Sequence, residues 1–148
     1  VRDRPLPIPG NGKYMTQFGH VQDLAIAMAK ILGNKTAINK IYNLSGDRYS
    51  TFDGLAYACA EAAGKSPENI KLVHYDPAQF DFGKRKAFPM RQQHFFTDIQ
   101  QAQTDLDWQP KYDLVSGLKD SFQHDYLASG RDQSEIDFSL DDEIFGKI

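Results

Sequence analysis

The sequence is poor in cysteine: Cys59 stands alone, so no internal disulfide can form and no pair of thiolates is available to a metal. A reducing compartment fits that usage. Long apolar runs are also missing. The longest mostly apolar stretch, LAIAMAKIL at 24–32, falls far short of the roughly 20 residues that span a bilayer. The chain does not open on a basic, apolar and small-residue leader, and no membrane partner is expected. Nor is there an excess of positive charge. Lys and Arg number 17 against 20 Asp and Glu, a formal net charge of -3, which excludes a protein basic over its whole surface. There is no internal repeat and no low-complexity tract.

What the chain does hold is 41% hydrophobic and 25% charged residues over 148 positions, with ten Phe and seven Tyr. That is enough for one core and too little for two independent ones. The charge is unevenly spread. Residues 131–148 carry six acidic and two basic side chains, and the rest is close to balance. The pattern divides the chain into a body, 1–130, and an acidic surface tail, 131–148. Within a balanced body a local basic patch still acts over a Debye length of about 8–10 Å.

The pattern of the body is mixed. RPLPIPGNGK reads as an extended segment ending in a turn, with Asn11-Gly12 suited to positive φ. Val21, Leu24, Ala25, Met28, Ile31 and Leu32 follow the i, i+3, i+4, i+7 spacing of a helix closed by Gly33, with Asp23 in the first turn favouring the helix dipole. KIYNLSGD reads as a strand and turn. Ser50 and Asp53 have the spacing of a capping box for a second helix through Phe52, Leu55, Ala56, Cys59, Ala62 and Ala63, in which Cys59 is expected as a packed thiol. IKLVHY is a further strand. Asp98 and Asp113 can cap two more helices, the first ending at DWQP. Alternating helices and strands of this kind indicate an α/β class, mixed α+β within this chain.

The long loop after IKLVHY contains the most unusual composition. FGKRKAFPMRQQHFF, residues 82–96, holds Lys84, Arg85, Lys86, Arg91, His94 and four phenylalanines without one acidic residue. Cations suit phosphates and exposed rings suit unstacked bases, so Lys84, Arg85, Lys86, Arg91 and His94 are candidates for RNA or phosphate contact, and Phe82 and Phe88 for base stacking. The opposing reading is that Phe88, Phe95 and Phe96 fill the core. His20, just before the first helix, reads as structural or capping. No catalytic residue and no metal site can be named from spacing alone, although Asp76 and Asp81 could hold Mg²⁺ near a phosphate if they converge.

Three segments in order, GHVQDLAIAM, IYNLSGDRYSTFDGLAYACAEAAG and DIQQAQTDLDWQPKYDLVSGL, resemble extended short-chain dehydrogenase/reductases of the NAD-dependent epimerase/dehydratase superfamily. PIPGNG, TQFGHVQDLA, YNLSGDRYSTFDGLA, FDFGKRKAFPMRQQHFF and FSLDDEI resemble, more narrowly, the chloroplast stem-loop-binding proteins and their cyanobacterial relatives. The resemblance implies the C-terminal substrate-domain region of a Rossmann-type fold whose N-terminal half, with its Gly-rich nucleotide loop, is a missing partner of this chain. It implies RNA as a partner, with ribosomes and self-association as further ones, in the chloroplast stroma or a cyanobacterial cytoplasm. No cofactor is expected within 1–148. NAD(P) belongs to the longer protein, and Mg²⁺ to it if the activity is nucleolytic.

Two other classes stay open, the substrate domain of an NAD(P)-dependent sugar-nucleotide epimerase or dehydratase, and a non-enzymatic scaffold. In the epimerases the resemblance places diphosphate-gripping arginines where this chain has Thr16 and Phe88. In the LGWxP pattern it places a glycine where this chain has Asp107, a position expected to be left-handed, beside a structural Trp108.

Overall fold

The computed structural model describes residues 2–85, 88 and 91–148; Lys86 lies outside them. Strand β1 (Leu6–Pro9) pairs in parallel with β4 (Leu72–Tyr75), Leu6 opposite Leu72 and Ile8 opposite His74. The prolines fit because of alternation. The Leu6 and Gly10 N–H groups donate to the Lys71 and Tyr75 carbonyls at 2.9 and 2.8 Å, while Pro7 and Pro9 occupy the alternate positions, where no donor is needed. Strand β2 (Met15–Gln17) pairs antiparallel with β3 (Tyr49–Thr51). Two helices lie between the paired strands in sequence, and three more follow β4.

Helix α1 (Val21–Ile31) is capped by His20, whose Nδ1 accepts the Gln22 N–H at 3.3 Å. Helix α2 (Phe52–Ala62) is capped by Thr51 rather than the expected Ser50, the hydroxyl accepting the Gly54 N–H at 3.0 Å. Helix α3 (Gln100–Leu106) begins where the Asp98 carboxylate accepts the Gln100 N–H and stops at Asp107, left-handed at φ 46°. Helix α4 (Leu114–Ser121) is capped by Asp113, continues as a π-helical turn at Phe122–Leu127, and is followed by α5 (Ser139–Phe145). Helices and short strands together make the mixed α/β class.

One core gathers Ala27, Ile99, Ala102, Leu106 and Trp108; a second gathers Ile8, Phe52 and Ala56, with Tyr14, Leu72 and Phe88 against it. The first is locked by Asp23. Its backbone carbonyl accepts the Trp108 indole N–H at 2.9 Å, and its buried carboxylate accepts the Lys111 and Tyr112 N–H groups at 3.0 and 3.1 Å. The carboxylate placed by sequence at the helix dipole thus also ties α1 to the turn after α3.

Three expectations change. The apolar stripe of α1 faces outward: Val21, Leu24, Met28 and Leu32 are exposed, and it is Asp23 and Ala27 that turn inward. Residues 40–44 are not a strand; no ladder forms there among the described residues, and Ile41 is 91% exposed. Periodicity reports that a face is apolar, not that this chain supplies its cover. Cys59 is exposed on the wall of a groove rather than packed, although partial burial of its sulfur pushes the thiol upward. Within residues 131–148 most side chains are exposed, but α5 packs on β1, Ile144 is wholly buried, Arg4 pairs with Asp142, and the Arg4 guanidinium lies 4.5 Å over the Phe138 ring.

Candidate nucleic-acid interface

The loop after β4 first folds on itself. Asp76 accepts the Ala78 N–H and Asp81 the Gly83 N–H, at 3.0 and 2.9 Å, so both carboxylates act as local turn caps. Among the described residues no three His, Cys, Asp or Glu side chains stand together as a metal would require. Phe82 stacks on Phe80, 5.4 Å between centroids, and is half-buried. Phe88 packs on Phe52 at 4.8 Å, in the second core. Phe88, the other stacking candidate, is half-buried with its ring against Phe52, where apolar burial and ring–ring contact favour a packing role.

The chain then turns back along β2. The Phe95 N–H donates to the Met15 carbonyl at 2.8 Å, Thr16 and Phe95 form a parallel bridge, and the Thr97 N–H reaches the Gln17 side-chain oxygen at 2.7 Å. These bonds fix the backbone of 94–97 while their side chains face out. Phe95 and Phe96 are 57% and 55% exposed, and Phe96 lies 5.7 Å from the equally exposed Tyr49 of β3. The exposed rings beside this loop are Phe95, Phe96 and Tyr49, whereas Phe82 and Phe88 are half-buried. The missed signal was the bridging of 95–97 to β2, a tertiary pairing that composition does not display.

Lys84, Arg85 and Arg91 are exposed on this loop. Arg85 is near enough to Asp137 to help hold its carboxyl below the usual range, after the stronger effect of the Ser139 N–H and hydroxyl. His94 is anchored, its Nδ1 accepting the Met15 N–H at 3.2 Å, which leaves Nε2 as the free face of the ring. With Asn11, Lys13 and Tyr14 it lines a cleft of about 300 Å³. Behind Lys13 stands a group that sequence reading passed over. The Asp53 carboxylate, nearly buried, lies 3.4 Å from Lys13 Nζ and 2.8 Å from His74 Nε2. Gly12 makes this approach feasible: a Cβ there would fall 1.9 Å from an Asp53 oxygen. Residues 40 and 21 positions apart meet here, so no local motif announces them.

Elsewhere His20 is consumed by structure. Its Nε2 faces Asp120 at 3.1 Å, its ring stacks on Tyr112 at 3.8 Å, and it is buried. Thr16, at the position of the epimerase arginine, is also buried and presents no cation to a diphosphate.

No protein-family model matches the chain. Over 145 residues it is 50% identical to the chloroplast stem-loop binding protein of 41 kDa b of Arabidopsis thaliana, covering 97% of this chain and 37% of that protein. The chain therefore spans little more than a third of that relative. Among solved structures it resembles the epimerase of Methanothermobacter thermautotrophicus (TM-score 0.63, 20% identity, 87% of this chain and 36% of the other). It also resembles UDP-glucose 4-epimerase of Thermotoga maritima with UDP-glucose (TM-score 0.60, 23%, 88% and 37%) and dTDP-glucose 4,6-dehydratase of Bacillus anthracis with NAD (TM-score 0.59, 20%, 84% and 36%). Over nearly its whole length the chain is thus similar in sequence to part of a chloroplast stem-loop binding protein, and it has the fold of part of the sugar-nucleotide epimerases and dehydratases.

Proposed function

We propose that this chain binds RNA through the surface of residues 82–96. The observation that carries the reading is the outward placement of Phe95 and Phe96, beside Tyr49, on a loop whose Lys84, Arg85, Arg91 and His94 are all exposed. Cations neutralise phosphates, and rings held on a fixed backbone receive unstacked bases, each worth about 1–3 kcal/mol by alanine substitution. The stem-loop-binding relative supports the same reading, and its chloroplastic name supports the chloroplast as the site of action.

Anisotropy with a labelled stem-loop RNA tests it. Phe95→Ala with Phe96→Ala should weaken binding at least tenfold without flattening the salt dependence. Lys84→Glu with Arg85→Glu should weaken it and flatten that dependence. Unchanged affinity in both double variants refutes the assignment. Lys86 belongs to the same cationic run but lies outside the described residues.

The outward apolar stripe of α1, continued by Ile38 and Ile41, supports a second element of the reading. In a longer polypeptide, a Rossmann half that binds NAD(P) covers this face, and any nuclease activity depends on it. Sugar-nucleotide turnover, the alternative function, is supported by fold alone, and the buried Thr16 argues against it.

A further inference from the structure

Lys13, Asp53 and His74 form a charge cluster next to the cleft, on three elements that the fold brings together: the turn after β1, the head of α2, and β4. Asp53 is the hinge of the arrangement. Nearly buried, it has the Lys13 ammonium on one side and the His74 imidazole on the other. His74 is paired with Asp53, and Asp53 in turn with Lys13, which shares the cleft with the His94 imidazole and the Tyr14 phenol. With His74 neutral, Lys13 and Asp53 cancel. With His74 protonated, the ion pair with Asp53 is satisfied from the His74 side and the cluster carries one net positive charge, on a Lys13 side chain that is two-thirds exposed and lines the cleft.

We propose that Lys13, with Asn11, Tyr14 and His94 around it, binds one phosphoryl group, and that the Asp53–His74 pair behind it sets the charge offered to that group. The anion is gripped when His74 is protonated and released when it is neutral. Asn11 and the free Nε2 of His94 supply hydrogen bonds to phosphate oxygens, and Tyr14, resting on Phe52 at 5.7 Å, forms the floor. The phosphoryl group can come from an RNA backbone or from a free nucleotide. In the first case the inference rests on the RNA-binding reading and adds a second contact point beside the exposed rings' loop, at the cleft that His94 lines.

The experiment measures binding of a labelled stem-loop RNA and, separately, of UDP at about pH 8 and about pH 5.5 across a salt series. One added phosphate contact steepens the slope of log K against log salt by about 0.7 for a single strand, or about five- to tenfold in affinity at 50 mM salt. Wild type should show that gain on acidification. His74→Gln should lose it while keeping its affinity at pH 8. Asp53→Asn, which leaves the Lys13 charge uncancelled, should bind more tightly than wild type at pH 8. Lys13→Met, at an exposed position that does not endanger folding, should remove the gain if Asp53→Asn proves too unstable to read.

Lys84→Glu with Arg85→Glu should lower RNA affinity equally at both pH values, so failure of the loop assignment and failure of this one are separable. A pH response shown by RNA alone assigns the site to the backbone, and one shown by UDP alone to a mononucleotide; either supports a phosphoryl site. A full response retained in His74→Gln, or seen with neither ligand in wild type, overturns it.

Discussion

Replacing Asp23 with Asn tests the main tertiary tie of the first core. The substitution keeps size and shape. The wild-type carboxylate accepts two backbone N–H groups, from Lys111 and Tyr112, in a side chain that is 2% exposed. An amide offers one oxygen, so one N–H meets an NH₂ and the other exchanges an ionised acceptor for a neutral one. A hydrogen bond to a charged group contributes about 1.5–3 kcal/mol and a neutral one about 1, so the loss is about 2–5 kcal/mol. With an unfolding entropy near 2.1 cal/mol/K per residue over 148 residues, the melting midpoint should fall by about 6–16 °C. Trp108, the only tryptophan, is buried and bonds the Asp23 backbone carbonyl, which the substitution retains. Its emission in the folded variant should therefore stay unshifted while the thermal midpoint drops. A midpoint within 2 °C of wild type would show that water or a relaxed turn replaces the carboxylate, and the assignment of Asp23 as the tie would fail.

Gly12→Ala combines φ +70° with a Cβ 1.9 Å from an Asp53 oxygen, and should cost about 2–3 kcal/mol in denaturant unfolding and separate Asp53 from His74. Met28→Lys with Leu32→Lys, on the outward stripe of α1, should change stability by no more than about 0.5 kcal/mol per site while raising solubility; a larger loss would mean the stripe is covered within this chain. Burial raises the Asp141 carboxyl above its ordinary 3.8, with Arg4 opposing and Asp142 adding to the rise. Its contribution is therefore complete below pH 3.8 and lost as pH rises through the folded value. Asp141→Asn should be more stable than wild type at neutral pH, with the advantage disappearing in acid, as equilibrium unfolding at both pH values would show.

Local signals carried much of the architecture. Asp113 at the head of α4, Asp98 before α3 and Asp107 in the left-handed position could be read because a cap or a helix stop depends on a few neighbouring atoms. The class followed from the same signals. The strand at 40–44 could not be read correctly, because β-prone residues pair only where a ladder exists, and Ile41 has none among the described residues. At the interface, composition located the loop but not its faces. Phe88 and Phe95 are chemically alike; Phe52 claims the first, and the bridge to Thr16 turns the second outward. The Lys13, Asp53 and His74 cluster was invisible for a related reason, since three ordinary residues acquire meaning only when β1, α2 and β4 converge.

Strand β1 has a consequence for how the chain acquires its structure during synthesis. Ile8 is fully buried, yet its partner strand begins at Leu72, and the contact of Arg4 with Asp142 joins positions 138 apart. At about 5–20 residues per second the β1 segment waits roughly 7–28 s for Asp142 to be made. An unpaired strand is hazardous over such an interval because its free N–H groups invite other chains. Pro7 and Pro9 remove two of them. The alternation that suits the finished parallel pair also makes the nascent strand a poor template for the wrong one.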